Sequence, residues 1–348
     1  MNRAFAVLVA LSLSALIAAP QAQAPAVQMP APQTPSAPAQ TFNDWLEGVR
    51  TEALAKGISQ STIDRALGHL EPLPVVVERD RSQPEEVLTL DTYVSQHVTA
   101  KTVRSAQAVA RQRAALLRQV SQRYGVPGPV IVAVWGLESN FGKFTGSRPV
   151  VAALATLGYD GRRALFRAEL FEALRILDKS HMAPEDLKGS WAGAMGQPQF
   201  MPSSYLQYAV DFDQDGRTDI WKSEADVFAS IANYLNAHGW VDGERWGREV
   251  RVPAEALDRI GAAIPLRTSG CQAERAMTEP RVLSEWKALG VTLAGGGALP
   301  ASDLRASLVR GDKRFFLVYR NYDAIIGYNC AHPYAISVGV LADKVGGG

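Results

Sequence analysis

The chain of 348 residues predicts a mainly helical protein carrying a small β-rich insertion. Three observations carry that prediction. Apolar residues recur at helical spacing through most of the first 240 positions. Short β-branched segments then appear between about 241 and 320, and helical periodicity returns from 321 to 348.

In chain order, Met1-Asn2-Arg3 supplies a positive charge, and Ala4–Ala19 is an unbroken run of apolar and small residues. Ala22-Gln23-Ala24 offers a small-residue cleavage site, so residues 1–24 read as a secretory signal peptide. The run is short for a bilayer span of roughly 20 apolar residues, so no stable membrane anchor is expected after cleavage. Residues 25–40 mix proline with Ala, Gln, Ser and Thr and read as an extended linker.

Helical sequence opens near Phe42, where Phe42, Trp45, Leu46 and Val49 share a face. From about Thr99 to Tyr124 the period predicts one long helix, stopped by Gly125. Pro129 to Glu138 is apolar on every side, which places that helix inside the protein. Further helices are expected near 163–177 and 225–238, the second with Ser223 as N-cap and Asp226 in the capping-box position. Within 241–320, Val250-Arg251-Val252 and Val291-Thr292-Leu293 read as strands, and 304–309 with 314–319 as a hairpin. Residues 322–328 and 334–345 then return as helices. With 47% apolar and 20% charged residues there is ample material for a core. A net charge of +1 gives no basic excess for nucleic-acid binding.

Four segments could carry chemistry. Glu138 ends the all-apolar helix, where desolvation should raise its pKa towards that of a general acid. The alternative is a glutamate that reaches solvent. The small-residue segment 189–202 offers Ser190 and Gln199 as polar groups and Trp191 and Phe200 as faces for sugar rings, with Pro202 opening a helix. Equally, its glycines could serve only a tight turn. Asp211, Asp213, Asp215 and Asp219, with Gly216 and the carbonyl of Arg217, follow the spacing of a calcium loop. Its twelfth position is Lys222, so Glu224 or Asp226 would have to close it; a solvated acidic turn is the alternative. Tyr328, Asn329 and Tyr334 flank His332 and suit carbohydrate contacts or an ordinary helix start. Cys271 and Cys330, an even count in an exported chain, are compatible with one disulfide or with two buried thiols.

Together these segments resemble the membrane-bound lytic murein transglycosylase B family and its soluble relatives. The resemblance rests on Tyr-Gly-Val-Pro at 124–127 and Trp-Gly-Leu-Glu-Ser-Asn-Phe-Gly at 135–142, then Ala-Gly-Ala-Met-Gly-Gln-Pro-Gln-Phe-Met-Pro-Ser-Ser-Tyr at 192–205. Asp-x-Asp-x-Asp-Gly at 211–216, Ile-Ala-Asn-Tyr-Leu at 231–235 and Tyr-Asn at 328–329 follow in the family's order. The resemblance implies a lysozyme-like helical core over 41–240, with an N-terminal helical part and a small inserted antiparallel β subdomain. It implies a periplasmic enzyme acting on peptidoglycan glycan strands, with Glu138 as sole acid/base. Ser190, Gln199, Tyr328, Asn329, Tyr334 and Tyr93 would contact glycan. No cofactor would be required for the chemistry, and a structural calcium would sit at Asp211, Asp213, Asp215, Arg217, Asp219 and Asp226. A hydrolytic muramidase and a non-catalytic murein-binding scaffold remain the rival readings.

Overall fold

The computed structural model describes residues 40–82, 88–180 and 182–347; the expected signal peptide and nearly all of the linker lie outside them. Residues from Phe42 onward form one compact unit. Its first part is helical: α1 (Phe42–Ala55), α2 (Gln60–Leu67), α3 (Pro74–Arg81), α4 (Leu90–His97), α5 (Ala100–Gln112), α6 (Ala114–Tyr124) and α7 (Gly128–Ser139). The long helix expected over 99–124 is broken at Arg113, whose backbone (φ −104°, ψ 16°) leaves the helical well. Its side chain forms a bidentate ion pair with Glu224. Gly125 ends α6 with φ 69°, as its position requires.

Helix α7 is the axis of the molecule. Val130 to Gly136 are all buried, and α5 and α6 pack around it together with two later helices, α11 (Glu224–Ala237) and α16 (His332–Gly346). An antiparallel pair, α8 (Val150–Asp160) and α9 (Ala164–Ser180), follows. The short strands β1 (Arg148–Pro149) and β2 (Lys188–Gly189) pair just before α8 and after α9. Then come α10 (Pro202–Tyr208), opened by Pro202 as expected, and α11 (Glu224–Ala237). Ser223 caps α11 by accepting from the Asp226 amide. The Asp226 carboxylate does not return the bond: it turns away to accept from the amides of Phe212 and Asp219. The expected capping box is therefore half-formed.

The β-rich part is an antiparallel sheet in the order β4 (Arg281–Val282), β6 (Arg305–Arg310), β7 (Phe315–Val318), β3 (Gly247–Arg251), β5 (Thr292–Leu293). Helices α12 (Ala254–Ala263), α13 (Gln272–Arg275) and α14 (Leu283–Ala288) lie between its strands in sequence. The hairpin strands β6 and β7 run buried across several successive positions because both faces of the sheet are covered. Val309, Phe316 and Val318 join the helical core, while Leu308 and Leu317 join a second cluster around Trp286, Ile260 and Val250. The hairpin turn reaches α4, where the Asp91 carboxylate accepts from the Lys313 amide at 2.7 Å. Helix α15 (Arg320–Tyr328) packs on α11, and α16 (His332–Gly346) closes the chain against α7 and α4.

Candidate active site

The acid sits where α7 is forced to stop. After Glu138 and Ser139, three consecutive residues adopt left-handed backbone: Asn140 (φ 49°), Phe141 (φ 58°) and Gly142 (φ 77°). Non-glycine residues enter that region at a price and need support. The support is local. Ser139 donates its hydroxyl to the Trp135 carbonyl at 3.0 Å and accepts from the Gly142 amide at 3.0 Å. Phe141 folds back edge-on to Trp135, over Gly136, where any Cβ would lie 2.6 Å from its ring.

Glu138 keeps part of its surface open, yet protein atoms crowd its carboxyl on nearly every side. Desolvation pushes its pKa from 4.5 up to about 7, opposed only by the nearby Tyr334 hydroxyl; among the described residues no other carboxylate contributes. Tyr334 is buried at the start of α16, and its hydroxyl closes no hydrogen bond within 3.5 Å. Tyr328 donates to the Pro198 carbonyl at 2.7 Å. Tyr93, on α4, stacks on His97 at 3.8 Å between ring centroids. Burial raises the pKa of all three tyrosines, and the Glu138 charge raises each further. Tyr93, Tyr328 and Tyr334 thus gather around Glu138 from three separate helices.

The small-residue segment lies alongside. Ser190 accepts from the Ala192 and Ala194 amides at 3.3 and 3.1 Å, and Gln199, itself at φ 53°, donates to the Gly196 carbonyl at 2.7 Å. Tyr328 reaches this segment through Pro198, next to Gln199. Asn329 is exposed at the end of α15, and its side chain makes no hydrogen bond to the acid or its tyrosines among the described residues. Phe200 cannot offer a face to a sugar: it is 2% exposed and packs on Tyr234 and Tyr328. Trp191 is half-buried.

Of the five carboxylates expected to hold a metal, the structure brings three together. Carboxylate oxygens of Asp211, Asp213 and Asp226 lie within 4.8 Å of one another. Asp226 is fully buried, and desolvation raises its pKa, with the Asp213 and Asp211 charges adding to the rise. Three converging carboxylates, one held inside the protein, fit a hard divalent cation. Asp215 and Asp219 instead turn their carboxylates onto local amides, of Arg217 and of Trp221 and Lys222. Glu224 is held by Arg113, leaving Asp226 as the closing residue.

Cys271 and Cys330 are joined in a disulfide across 59 positions, binding the segment before α13 to the loop between Tyr328 and Tyr334. His332, which opens α16, is not placed for a metal: its Nδ1 meets the Tyr322 hydroxyl at 2.8 Å, and burial lowers its pKa to about 4.

Comparison with known proteins decides the lineage. The family model described as "Transglycosylase SLT domain" matches residues 41–343. The chain belongs to that family. Membrane-bound lytic murein transglycosylase B of Escherichia coli K12 is 34% identical over 263 residues, spanning 73% of this chain and 66% of that relative, just under two thirds of its length. SltB3 of Pseudomonas aeruginosa, solved in complex with NAG-anhNAM-pentapeptide, superposes with a TM-score of 0.78 at 43% identity, over 89% of this chain and 80% of that one. The Escherichia coli lytic transglycosylase Slt35 in complex with calcium gives 0.70 at 30% identity, over 86% and 92%. Both matches place this chain in a lysozyme-like, mainly helical fold.

Two residues of this family member's site escaped the sequence reading. Gln197 is buried and bridges three segments: it accepts from Trp135 Nε1 at 2.7 Å and donates to the Trp221 carbonyl at 2.8 Å. Tyr234, on α11, packs against Phe200, Tyr208 and Tyr328 and donates to the Gly327 carbonyl at 2.6 Å. The Ile-Ala-Asn-Tyr-Leu block contains Tyr234, so a signal for it was present; for Gln197 the only cue was a polar residue among glycines.

Proposed function

We propose that this protein is a lytic transglycosylase that cleaves the β-1,4 bond between N-acetylmuramic acid and N-acetylglucosamine in peptidoglycan. One observation carries the reading: a single carboxyl beside the Tyr334 hydroxyl, raised to about 7 by desolvation with no second carboxylate among the described residues contributing. A retaining hydrolase would place its second carboxyl roughly 5–5.5 Å away, and an inverting one 6.5–9.5 Å away.

The protonated Glu138 donates its proton to the bridging oxygen as the bond from muramic C1 breaks. The acetamido carbonyl of the same sugar stabilises the positive charge at C1. Glu138, now a carboxylate, takes the proton from the muramic 6-hydroxyl, whose oxygen bonds to C1 and closes a 1,6-anhydro ring. Proton count balances, water is not consumed, and the acid returns to its starting form. Tyr93, Ser190, Gln199, Tyr328, Asn329 and Tyr334 line the path of the glycan. The ligand named with the Pseudomonas relative, carrying an anhydro-muramic end, supports this product.

The reaction as drawn needs no cofactor. Asp211, Asp213 and Asp226 would hold a structural calcium, a reading supported by the calcium complex of Slt35. Among the described residues, no helix is long and apolar enough to cross a membrane. With residues 1–24 read as a signal peptide, the site of action is the periplasm.

The test is mass spectrometry of purified peptidoglycan treated with wild type and with Glu138→Gln. Anhydromuropeptides from the wild type alone are expected. Reducing-end products would make the protein a muramidase, and wall binding without product from either would make it a scaffold.

A further inference from the structure

Charge is spread unevenly along a chain whose formal net is only +1. Between Thr99 and Tyr124 stand Lys101, Arg104, Arg111, Arg113, Arg118 and Arg123 and not one Asp or Glu, so the rest of the chain is acidic on balance. All six cations are exposed, on α5, on α6 or at the break between them. Glu224 takes Arg113; among the described residues the other five join no ion pair.

Helical geometry gathers these charges on one side. Lys101, Arg104 and Arg111 fall in a single stripe of α5, opposite its buried Ala106. Arg118 repeats the spacing of Arg104 and Arg111 on α6, whose buried side is Leu117 and Val120. Both helices pack on α7, so their outer stripes face away from it. Gln107 donates to the Lys344 carbonyl at 2.9 Å and brings that exposed residue of α16 alongside α5. Asp242, beside Gly125, stands at the far end.

The surface is a ridge rather than a cleft. Two successive helices, at about 1.5 Å per residue, give it a length of roughly 35 Å. Its exposed positions between the cations are Gln112, Ala115, Gln119 and Gln122. The one aromatic ring of the segment, Tyr124, is half-buried with the Arg123 guanidinium over it at 5.7 Å. A sugar strand would call for aromatic faces and a groove, whereas a plane of anionic headgroups asks only for outward cations. The signal-peptide reading of residues 1–24 sets the protein on the outer side of a membrane. We propose that α5 and α6 form a docking surface for anionic phospholipid, which holds the protein reversibly at the membrane face without an anchor. The tyrosines around Glu138 come from α4, α15 and α16, so docking through α5 and α6 uses none of them. The proposal does not depend on the reading of Glu138 as the acid.

The test is co-sedimentation of the exported protein with vesicles of phosphatidylethanolamine and phosphatidylglycerol, with vesicles of phosphatidylcholine alone, and with purified peptidoglycan. Wild type is compared with Arg104→Glu/Arg111→Glu, with the milder Arg104→Gln/Arg111→Gln, and with Arg251→Glu/Lys287→Glu. The last pair reverses two exposed cations of the β-rich part and changes net charge equally. Matched melting curves verify that each variant folds. Wild type is expected to bind the phosphatidylglycerol vesicles, to ignore phosphatidylcholine and to be released by concentrated salt. Each cation near an anionic surface is worth about fivefold in partitioning, so Arg104→Glu/Arg111→Glu should weaken binding at least about twentyfold. The glutamine pair should weaken it less, and the β-rich pair should leave it nearly unchanged. Equal binding to both kinds of vesicle, or to neither, overturns the proposal. So does an equal loss in the β-rich pair, which would reduce the effect to net charge. Binding confined to peptidoglycan and lost in the Arg104 and Arg111 variants would make the wall the partner and refute the lipid.

Discussion

Replacing Glu138 by glutamine should abolish the reaction and, above neutral pH, stabilise the fold. The carboxyl ionises at about 7 in the folded protein against 4.5 ordinarily, because the packed surroundings of α7 withhold water from its charge. The folded state therefore holds the proton more tightly than the unfolded chain, and stability falls as pH climbs from 4.5 to 7. Each tenfold difference in proton affinity is worth about 1.4 kcal/mol, which puts the full penalty on the order of 3 kcal/mol at pH 8. Glutamine keeps the shape without the charge and escapes that penalty. With an unfolding entropy of about 2 cal/mol/K per residue, a unit of this size should gain roughly 5 °C in Tm. Below pH 4.5 the two proteins should melt together. The assay is differential scanning calorimetry of both proteins at pH 4.5, 6 and 8, alongside turnover of peptidoglycan. If the variant melts lower than wild type by the same margin at every pH, the carboxylate is not paying for desolvation, and the physical basis for its role as acid fails.

Activity itself should decline as pH rises through about 7, since the first step needs the protonated acid; a profile that keeps rising to pH 9 would contradict this. Reducing the Cys271–Cys330 disulfide releases a constraint across 59 positions worth about 4 kcal/mol, so Tm should drop by roughly 6 °C with dithiothreitol, and an unchanged melting curve would remove that contribution. Gln197→Leu leaves the buried Trp135 indole N–H and the Trp221 carbonyl without their partner, with an expected loss of about 2–4 kcal/mol. Its urea midpoint should fall accordingly, whereas Gln197→Glu, which still offers an acceptor to Trp135, should lose less.

What could be read from the chain was decided by range. The all-apolar helix that ends in Glu138 was legible because burial on every side leaves no polar positions, and that same fact raises the acid's pKa. The hairpin at 304–319 was legible from two short runs flanking Arg310-Gly311-Asp312-Lys313, although its cover on both faces was not, since α12 and α14 reach it from elsewhere in the chain. The break at Arg113 was hidden: no Gly or Pro marks it, and its ion pair with Glu224 spans 111 positions. Phe200 looked like a sugar platform in its local motif, and only its contacts with Tyr234 and Tyr328 reveal a core residue. The aspartate loop had readable spacing, and of the two residues it offered to close the group, Glu224 and Asp226, only the fold could choose, because Arg113 holds Glu224 from 111 positions away. Asp219 caps the turn, and Asp226 closes the carboxylate group.

The way α7 buries its last turn also fixes how the acid answers to its medium. Dissolved ions screen charges from one another, and an acid tuned by a neighbouring carboxylate or arginine drifts as ionic strength changes. Glu138 is tuned by displaced water instead, with no ionised partner among the described residues for salt to screen. Its working pH is therefore set by packing density, and it should hold still across dilute and briny surroundings alike. Shifting it would require changes to the apolar residues of the core rather than to the charged ones at the surface.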